Sequence, residues 1–355
     1  MIRPGGVLRL LRPPNVFTAF ADALAGVLVV RAAGGAAAAG TLASLGVMPA
    51  GGLPAAAEAR GFAVVAASGA MYLAGIVLND LFDRDVDARE RPGRPIPSGD
   101  VPVWLAAALG AALLVGGVAL AAWVSPASGA VAGALAAMVL AYDGGLKRRS
   151  TGPLVMGACR TLNFALGLST GVVPLGVAGG GVGATPDEGL AAVARGFAAL
   201  PAAVWLGPLL LGLYVATLTY LARDEVPGNT AARARRGMVA LVALATWLGL
   251  SLIMRAIMGV MAPHEAPDAG AGGAHIPAPA MVLFVATVWL GGRVWGPLWK
   301  SPDGATTRRA IGGGILLIPL IDATMVAAAG APEAALGVAA LALPALLLRR
   351  WFSPT

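Results

Sequence analysis

Apolar runs of about 17 to 24 residues recur from one end of the chain to the other, separated by short polar or Gly/Pro-rich stretches. Each is long enough to cross the hydrocarbon layer of a bilayer as a helix. The pattern predicts ten spans, at roughly 14–31, 62–82, 102–123, 127–145, 152–175, 203–222, 238–261, 280–297, 308–329 and 333–349. The fold expected is an all-α polytopic bundle forming one domain over 1–355, with helices 1–4 about 14–145, helices 5–8 about 152–297 and terminal helices about 308–349. At the start, Arg3 to Leu11 combines basic residues with a short apolar patch, as a signal peptide does. Pro13-Pro14 and a full-length apolar run follow at once, so the segment reads as the approach to a retained first helix.

Composition and charge sharpen this picture. Hydrophobic residues make up 58% of the chain, charged residues only 12%, and mean hydropathy is +0.79; a soluble domain is about a quarter charged. A net charge of +7 raises the question of nucleic acid, but the placement of the charges answers it. With the N-terminus inside, 20 of the 25 basic residues fall on the inner side of the predicted spans and four on the outer, as the positive-inside rule requires. Ten spans keep Arg349 and Arg350 inside, whereas nine would expel them. Both termini and the short, charged loops are therefore expected to be cytoplasmic. The Ala-, Gly- and Arg-rich composition points to a bacterial plasma membrane. Three long connections, about 32–61, 176–202 and 262–279, fall outside and read as loops; the two histidines, His264 and His275, lie there as ordinary loop residues. The single cysteine, Cys159, cannot form an internal disulfide.

Candidate chemistry gathers at the end of the second span, in Asn79-Asp80-Leu81-Phe82-Asp83-Arg84-Asp85-Val86-Asp87. On a continuing helix Asn79, Asp83 and Asp87 form one stripe with Asp80 beside it. Oxygen donors of this kind suit a hard divalent cation such as Mg²⁺, which takes a few carboxylates and shares phosphate oxygens with a substrate. The plainer alternative is a solvated acidic loop neutralised by Arg84, Arg89, Arg91 and Arg94. A second acidic end, Tyr220-Leu221-Ala222-Arg223-Asp224-Glu225, closes the sixth span on the same side. Four spans separate the two, which implies two parallel four-helix repeats with acidic ends facing a central cavity. Asp22 and Arg160 each lie about eight residues into their spans, roughly 12 Å deep at the helical rise. Ionisable groups at such depth pair or face a bundle interior. An Asp22–Arg160 contact assisted by Asn15 and Asn163 is expected; Asp322, deeper still, has no evident partner.

At these residues the chain resembles the UbiA superfamily of intramembrane prenyltransferases. The run from Asn79 through Asp87, followed by Arg91-Pro92-Gly93-Arg94-Pro95-Ile96-Pro97-Ser98-Gly99, is similar to that family's first signature. Tyr142 to Lys147 resembles its tyrosine–lysine segment, and the run from Gly152 to Asn163 looks most like the EboC-like branch. The resemblance implies Mg²⁺-dependent transfer of an isoprenyl group from a prenyl diphosphate to an acceptor in the bilayer. It implies metal held by Asn79, Asp83 and Asp87 with Asp80 assisting, diphosphate held by Arg94 and Lys147, and Asp224 in a second motif. Tyr72, Tyr142, Tyr214 and Tyr220 are candidates for cation–π support of an allylic cation. There are two departures from the pattern. Gly228 stands where a second aspartate is common, so either Glu225 substitutes or the second metal site is weak or absent. The family usually has nine spans rather than ten. Two other classes fit part of the pattern: a carrier, given Asp22, Arg160 and Asp322 within spans, and a non-catalytic partner of the same fold. No residue selects the acceptor, the prenyl chain length or an oligomeric state.

Overall fold

The computed structural model describes residues 4–37, 55–172, 186–223, 231–260 and 278–348. Among them the regular structure is helical. An eight-residue helix α1 (Pro4–Leu11) leads through a 3₁₀ turn at Pro13–Asn15 into α2 (Val16–Ala37). Then come α3 (Ala55–Phe82), a short α4 (Arg84–Glu90), α5 (Val103–Val124), α6 (Pro126–Asp143) and α7 (Gly152–Leu168). The second half holds α8 (Pro186–Ala198), α9 (Ala202–Ala222), α10 (Ala231–Val260), α11 (Ala278–Lys300), α12 (Gly304–Ala328), α13 (Pro332–Ala340) and α14 (Ala342–Leu348).

Among the described residues seven helices are long and apolar enough to cross a membrane, and they coincide with expected spans 1, 2, 3, 4, 6, 8 and 9. The other three differ from expectation in identifiable ways. The fifth, α7, has 17 residues and finishes in a 3₁₀ turn at Ser169–Gly171. The seventh, α10, begins seven residues before the apolar run, taking Arg233, Arg235 and Arg236 into its first turns. The tenth is broken at Leu341 into α13 and α14, where Pro344 has no N–H to return to Ala340. The connection about 176–202, expected as a loop, contains α8, whose Ala192, Val193 and Gly196 are buried.

Small residues set how closely the helices meet. Any Cβ on Gly167 would fall 2.0 Å from the Ala23 carbonyl oxygen, and one on Gly26 would fall 2.2 Å from that of Phe164. These glycines let α2 and α7 cross backbone to backbone. A second crossing joins α7 to α9, where a Cβ on Gly157 would lie 2.3 Å from the Gly212 carbonyl. Accordingly α7 packs against α2, α6 and α9, while α2 also packs against α3 and α12. The deepest side chains, among them Phe164, Leu211, Leu221, Leu298 and Ile318, fill the space between these helices. The asparagine and aspartates of the first acidic stretch thus sit at one end of the bundle.

Candidate active site

Helix α3 gives way to α4 at Asp83 (φ −91°, ψ 1°), yet the hydrogen-bond ladder survives the junction. Asp83 N–H donates to the Asn79 carbonyl at 3.0 Å, and Asp87 N–H to that of Asp83 at 2.8 Å. The four-residue spacing read from the sequence therefore holds, and Asn79, Asp83 and Asp87 follow one another along nearly continuous helical backbone.

Four carboxylates in one small region repel one another unless cations lie among them, and the structure supplies the cations. Arg12 Nη2 donates to both oxygens of Asp80, at 2.7 and 2.8 Å. Arg94 Nη1 bridges Asp80 Oδ1 at 3.2 Å and Asp87 Oδ2 at 2.6 Å. Lys147 Nζ donates to Asn79 Oδ1 at 3.0 Å and Asp83 Oδ2 at 2.8 Å. Arg148 lies 3.7 Å from the other oxygen of Asp83. Asp80 and Asp87 are buried, whereas Asp85 points away with its side chain 82% exposed, beside Arg84. The stretch is thus sorted: Asp80 and Asp87 hold arginines, Asn79 and Asp83 converge on the Lys147 ammonium with Arg148 beyond Asp83, and Asp85 is solvated.

Lys147 reaches this point through an unusual turn. After α6, Gly145 adopts φ +147°, a conformation that side-chain-bearing residues rarely take. A 3₁₀ turn at Leu146–Arg148 then folds the lysine back. Asp143, the last residue of α6, is buried with its Oδ1 lacking a hydrogen-bond partner, 3.6 Å from the same ammonium. Tyr142 precedes it, half-buried.

The second half of the chain touches this site through Arg223, whose Nη2 donates to the carbonyls of Lys147 (3.1 Å) and Arg149. Arg223 follows α9 directly, so α9 ends against the lysine-bearing turn. Asp224, Glu225 and Gly228 lie outside the described residues. Tyr220, one turn earlier, stacks under the Arg233 guanidinium at 5.2 Å.

Deeper in the bundle, Arg160 Nη1 donates to Asp22 Oδ2 at 2.7 Å and its Nη2 to Thr18 Oγ1 at 2.8 Å. Asn163 Nδ2 donates to Asp22 Oδ2 and to the Ala19 carbonyl, both at 3.0 Å. The expected contact is present, with one change of partner. Thr18 supplies the second acceptor, and Asn15 enters through its backbone carbonyl, which accepts from Thr18 Oγ1 at 2.8 Å. Asp322 is fully buried on α12, and among the described residues neither of its carboxylate oxygens has a hydrogen-bond partner. Tyr72 lies 5.1 Å beneath the Arg160 guanidinium, and Tyr214 donates to the Gly314 carbonyl at 2.7 Å, so both rings have structural contacts of their own.

The donor set fits a hard divalent cation in one respect and stops short in another. Asn79 Oδ1 and Asp83 Oδ2 already converge on one positive charge, the Lys147 ammonium, and Asp143 adds an open oxygen beside it. Mg²⁺ needs only one or two carboxylates when a substrate phosphate completes its shell. Among the described residues no three acidic, histidine or cysteine side chains form a metal cage by themselves. Sequence reasoning missed Arg12, Thr18 and Asp143. Only Asp143 carried a local signal, standing four residues before Lys147 beside the tyrosine already singled out.

Comparison with known proteins bears on this geometry. The model of the UbiA prenyltransferase family matches residues 36–307. Digeranylgeranylglyceryl phosphate synthases from Methanoculleus marisnigri and Natronomonas pharaonis are each 40% identical, over 74 and 104 residues. The matches cover 21% and 28% of this chain, and 26% and 28% of those proteins, so the chain spans about a quarter of the curated relatives it matches. A solved structure of a digeranylgeranylglyceryl phosphate synthase superposes with a TM-score of 0.51 at 16% identity, covering 92% of this chain and 98% of that one. A UbiA homolog from Archaeoglobus fulgidus, bound to DMAPP and Mg²⁺, superposes at 0.50 with 16% identity, covering 88% and 99%. At that identity the likeness is one of fold.

Proposed function

Because this chain belongs to the UbiA prenyltransferase family, we propose that it transfers an isoprenyl group from a prenyl diphosphate to a small or lipophilic acceptor within the membrane, with Mg²⁺ as cofactor. The observation that carries this reading is the convergence of Asn79 and Asp83 on the Lys147 ammonium, with Arg94 held by the neighbouring Asp80 and Asp87. The names of the curated relatives, and the DMAPP and Mg²⁺ bound by the Archaeoglobus homolog, support it.

Metal would be held by Asn79 and Asp83, with Asp87 and Asp224 or Glu225 contributing once Arg94 has turned to the substrate. When bound, Mg²⁺ stabilises the negative charge that accumulates on the departing pyrophosphate. The protein's own groups do the rest. Arg94 and Lys147 place fixed positive charge at the leaving oxygens, where it acts more strongly than in water. Arg12 holds Asp80, and Asp80 in turn aims Arg94. Contact of Arg223 with the carbonyls of Lys147 and Arg149 supports a shared site for the two acidic ends. The apolar helices keep water from the allylic cation, and Tyr142 and Tyr220, near the ends of α6 and α9, are its candidate cation–π supports. Asp22, Arg160, Asn163 and Asn15 belong to the wall below the head group. The charge asymmetry supports a plasma-membrane protein with the site facing the cytoplasm, built as one domain from two parallel four-helix units.

Binding of a labelled prenyl diphosphate to the detergent-solubilised protein, with and without EDTA, tests this reading. An enzyme binds it only with metal and releases pyrophosphate when an acceptor is supplied. Metal-dependent binding without release for any acceptor would leave a non-catalytic relative. Metal-independent binding, or none, would favour a carrier.

A further inference from the structure

Asp143, whose open oxygen lies beside the candidate metal site, has a second relationship there, to Lys147 itself. Its side chain is only 3% exposed, its Oδ1 has no hydrogen-bond partner, and the nearest cation is Lys147 Nζ at 3.6 Å. A buried carboxylate oxygen without a donor is costly, so a structure that keeps one invites a donor to arrive. Lys147 is the donor in place. Its ammonium carries three N–H groups, and two of them are now committed to Asn79 and Asp83.

We propose that Asp143 is the second berth of Lys147, a positioning residue that receives the ammonium when Asn79 and Asp83 are given over to a divalent cation. This rests on the metal reading above. Two cations cannot share one pair of oxygens at hydrogen-bond distance without strong repulsion, so loading the pair requires the ammonium to leave. A shift of about 1 Å toward Asp143 turns the present ion pair into a charge-assisted hydrogen bond. The lysine thus stays at the rim, where a diphosphate needs it, instead of swinging into water. A flexible four-carbon stem with a compact charge can make this move, and a planar guanidinium could not make it as easily. The Gly145 turn sets the lysine backbone, and Arg223 holds the same turn through the Lys147 and Arg149 carbonyls.

Titration of the full chain in detergent with Mn²⁺, followed by its electron paramagnetic resonance signal and without prenyl diphosphate, tests the proposal. Asp143→Asn keeps size and an acceptor oxygen but loses the charge that attracts the ammonium. It is expected to weaken Mn²⁺ binding about tenfold, the equivalent of one modest charge interaction, because Lys147 then stays on Asn79 and Asp83. Lys147→Met is expected to tighten binding, and Asp143→Asn added to it to change nothing further. If Asp143→Asn weakens binding equally in the Lys147→Met background, Asp143 acts as a ligand or a structural group and the proposal fails. If Asp143→Asn binds like the wild type, it fails as well. Absence of saturable Mn²⁺ binding in the wild type would remove the metal reading and this one together, whereas either of the preceding results removes this one alone. Thermal unfolding of each variant in the absence of metal identifies any that is misfolded. In that case Asp143→Glu, which retains the charge and is expected to retain Mn²⁺ affinity within about threefold, decides by the same titration.

Discussion

Arg160 on α7 and Asp22 on α2 meet at 2.7 Å across 138 residues of sequence, with Asp22 wholly buried. The pair holds together the two helices whose glycines already bring their backbones into contact. Removing one partner strands a charge in a medium that cannot solvate it. Asp22→Ala is expected to destabilise the folded protein by about 3 kcal/mol or more, the usual scale for breaking a buried pair. Thr18→Val, which removes one acceptor of the guanidinium, should cost about 1 kcal/mol. Thermal unfolding in one detergent orders the two; equal effects would mean that the pair carries no special weight.

Asp83 and Asp85 differ by two positions and by nearly everything else. Asp83 faces Lys147 and Arg148, while Asp85 is solvated. Asp83→Ala should abolish metal-dependent pyrophosphate release with normal membrane insertion. Asp85→Ala should leave release within about twofold of wild type, as exposed charges usually do. Paired assays on membranes holding equal amounts of protein settle the contrast.

Arg12 combines a left-handed backbone (φ 43°, ψ 61°) with a two-pronged grip on Asp80. Arg12→Ala and Arg12→Gly both lose the grip, but only alanine keeps the backbone strain. The glycine variant is therefore expected to be the more stable of the two by about 1 kcal/mol. Comparison of their unfolding midpoints checks this, and the reverse order would mean that the backbone carries no strain.

Close crossings and open faces call for opposite outcomes at glycine. A Cβ on Gly167 would meet backbone at 2.0 Å, whereas one on Gly133 would meet nothing within 4 Å. Gly167→Ala should lower the yield of folded protein sharply, and Gly133→Ala should be neutral or slightly stabilising, since alanine is the better helix former. Size-exclusion profiles in detergent distinguish the two.

Asp303 caps α12 by accepting from Thr306 N–H at 2.8 Å, and that bond holds its carboxyl below the usual aspartate range. A carboxylate favoured by folding in this way stabilises the fold at pH values above its unfolded pKa. The contribution is lost as pH falls through the folded value. The gap in unfolding temperature between wild type and Asp303→Ala should thus be full near neutrality and shrink in acid, which a pH series of melting curves measures.

Much of this arrangement was legible because its spacing is local. The four-residue interval from Asn79 to Asp83 and Asp87 survives the helix break, since the backbone ladder runs through it. That Asp22 and Arg160 meet inside the bundle followed from counting residues along two apolar runs. What escaped was set by long-range pairing. Arg12 lies 68 positions from Asp80, and an arginine before two prolines carries no mark of what it will touch. Thr18 replaced Asn15 beside Arg160 because one further turn of helix brings the hydroxyl round to the guanidinium. Helix α8 passed for a loop because its 13 residues are too few to cross a bilayer and it opens on Pro186-Asp187-Glu188-Gly189.

The clasp between Arg12 and Asp80 has a practical corollary. Residues 4–12, ending in Arg12, supply the counter-charge of an acid lodged out of reach of solvent. Trimming them to tidy the amino terminus would leave that acid to Arg94 alone. Arg94 could then no longer be released to a substrate without abandoning it.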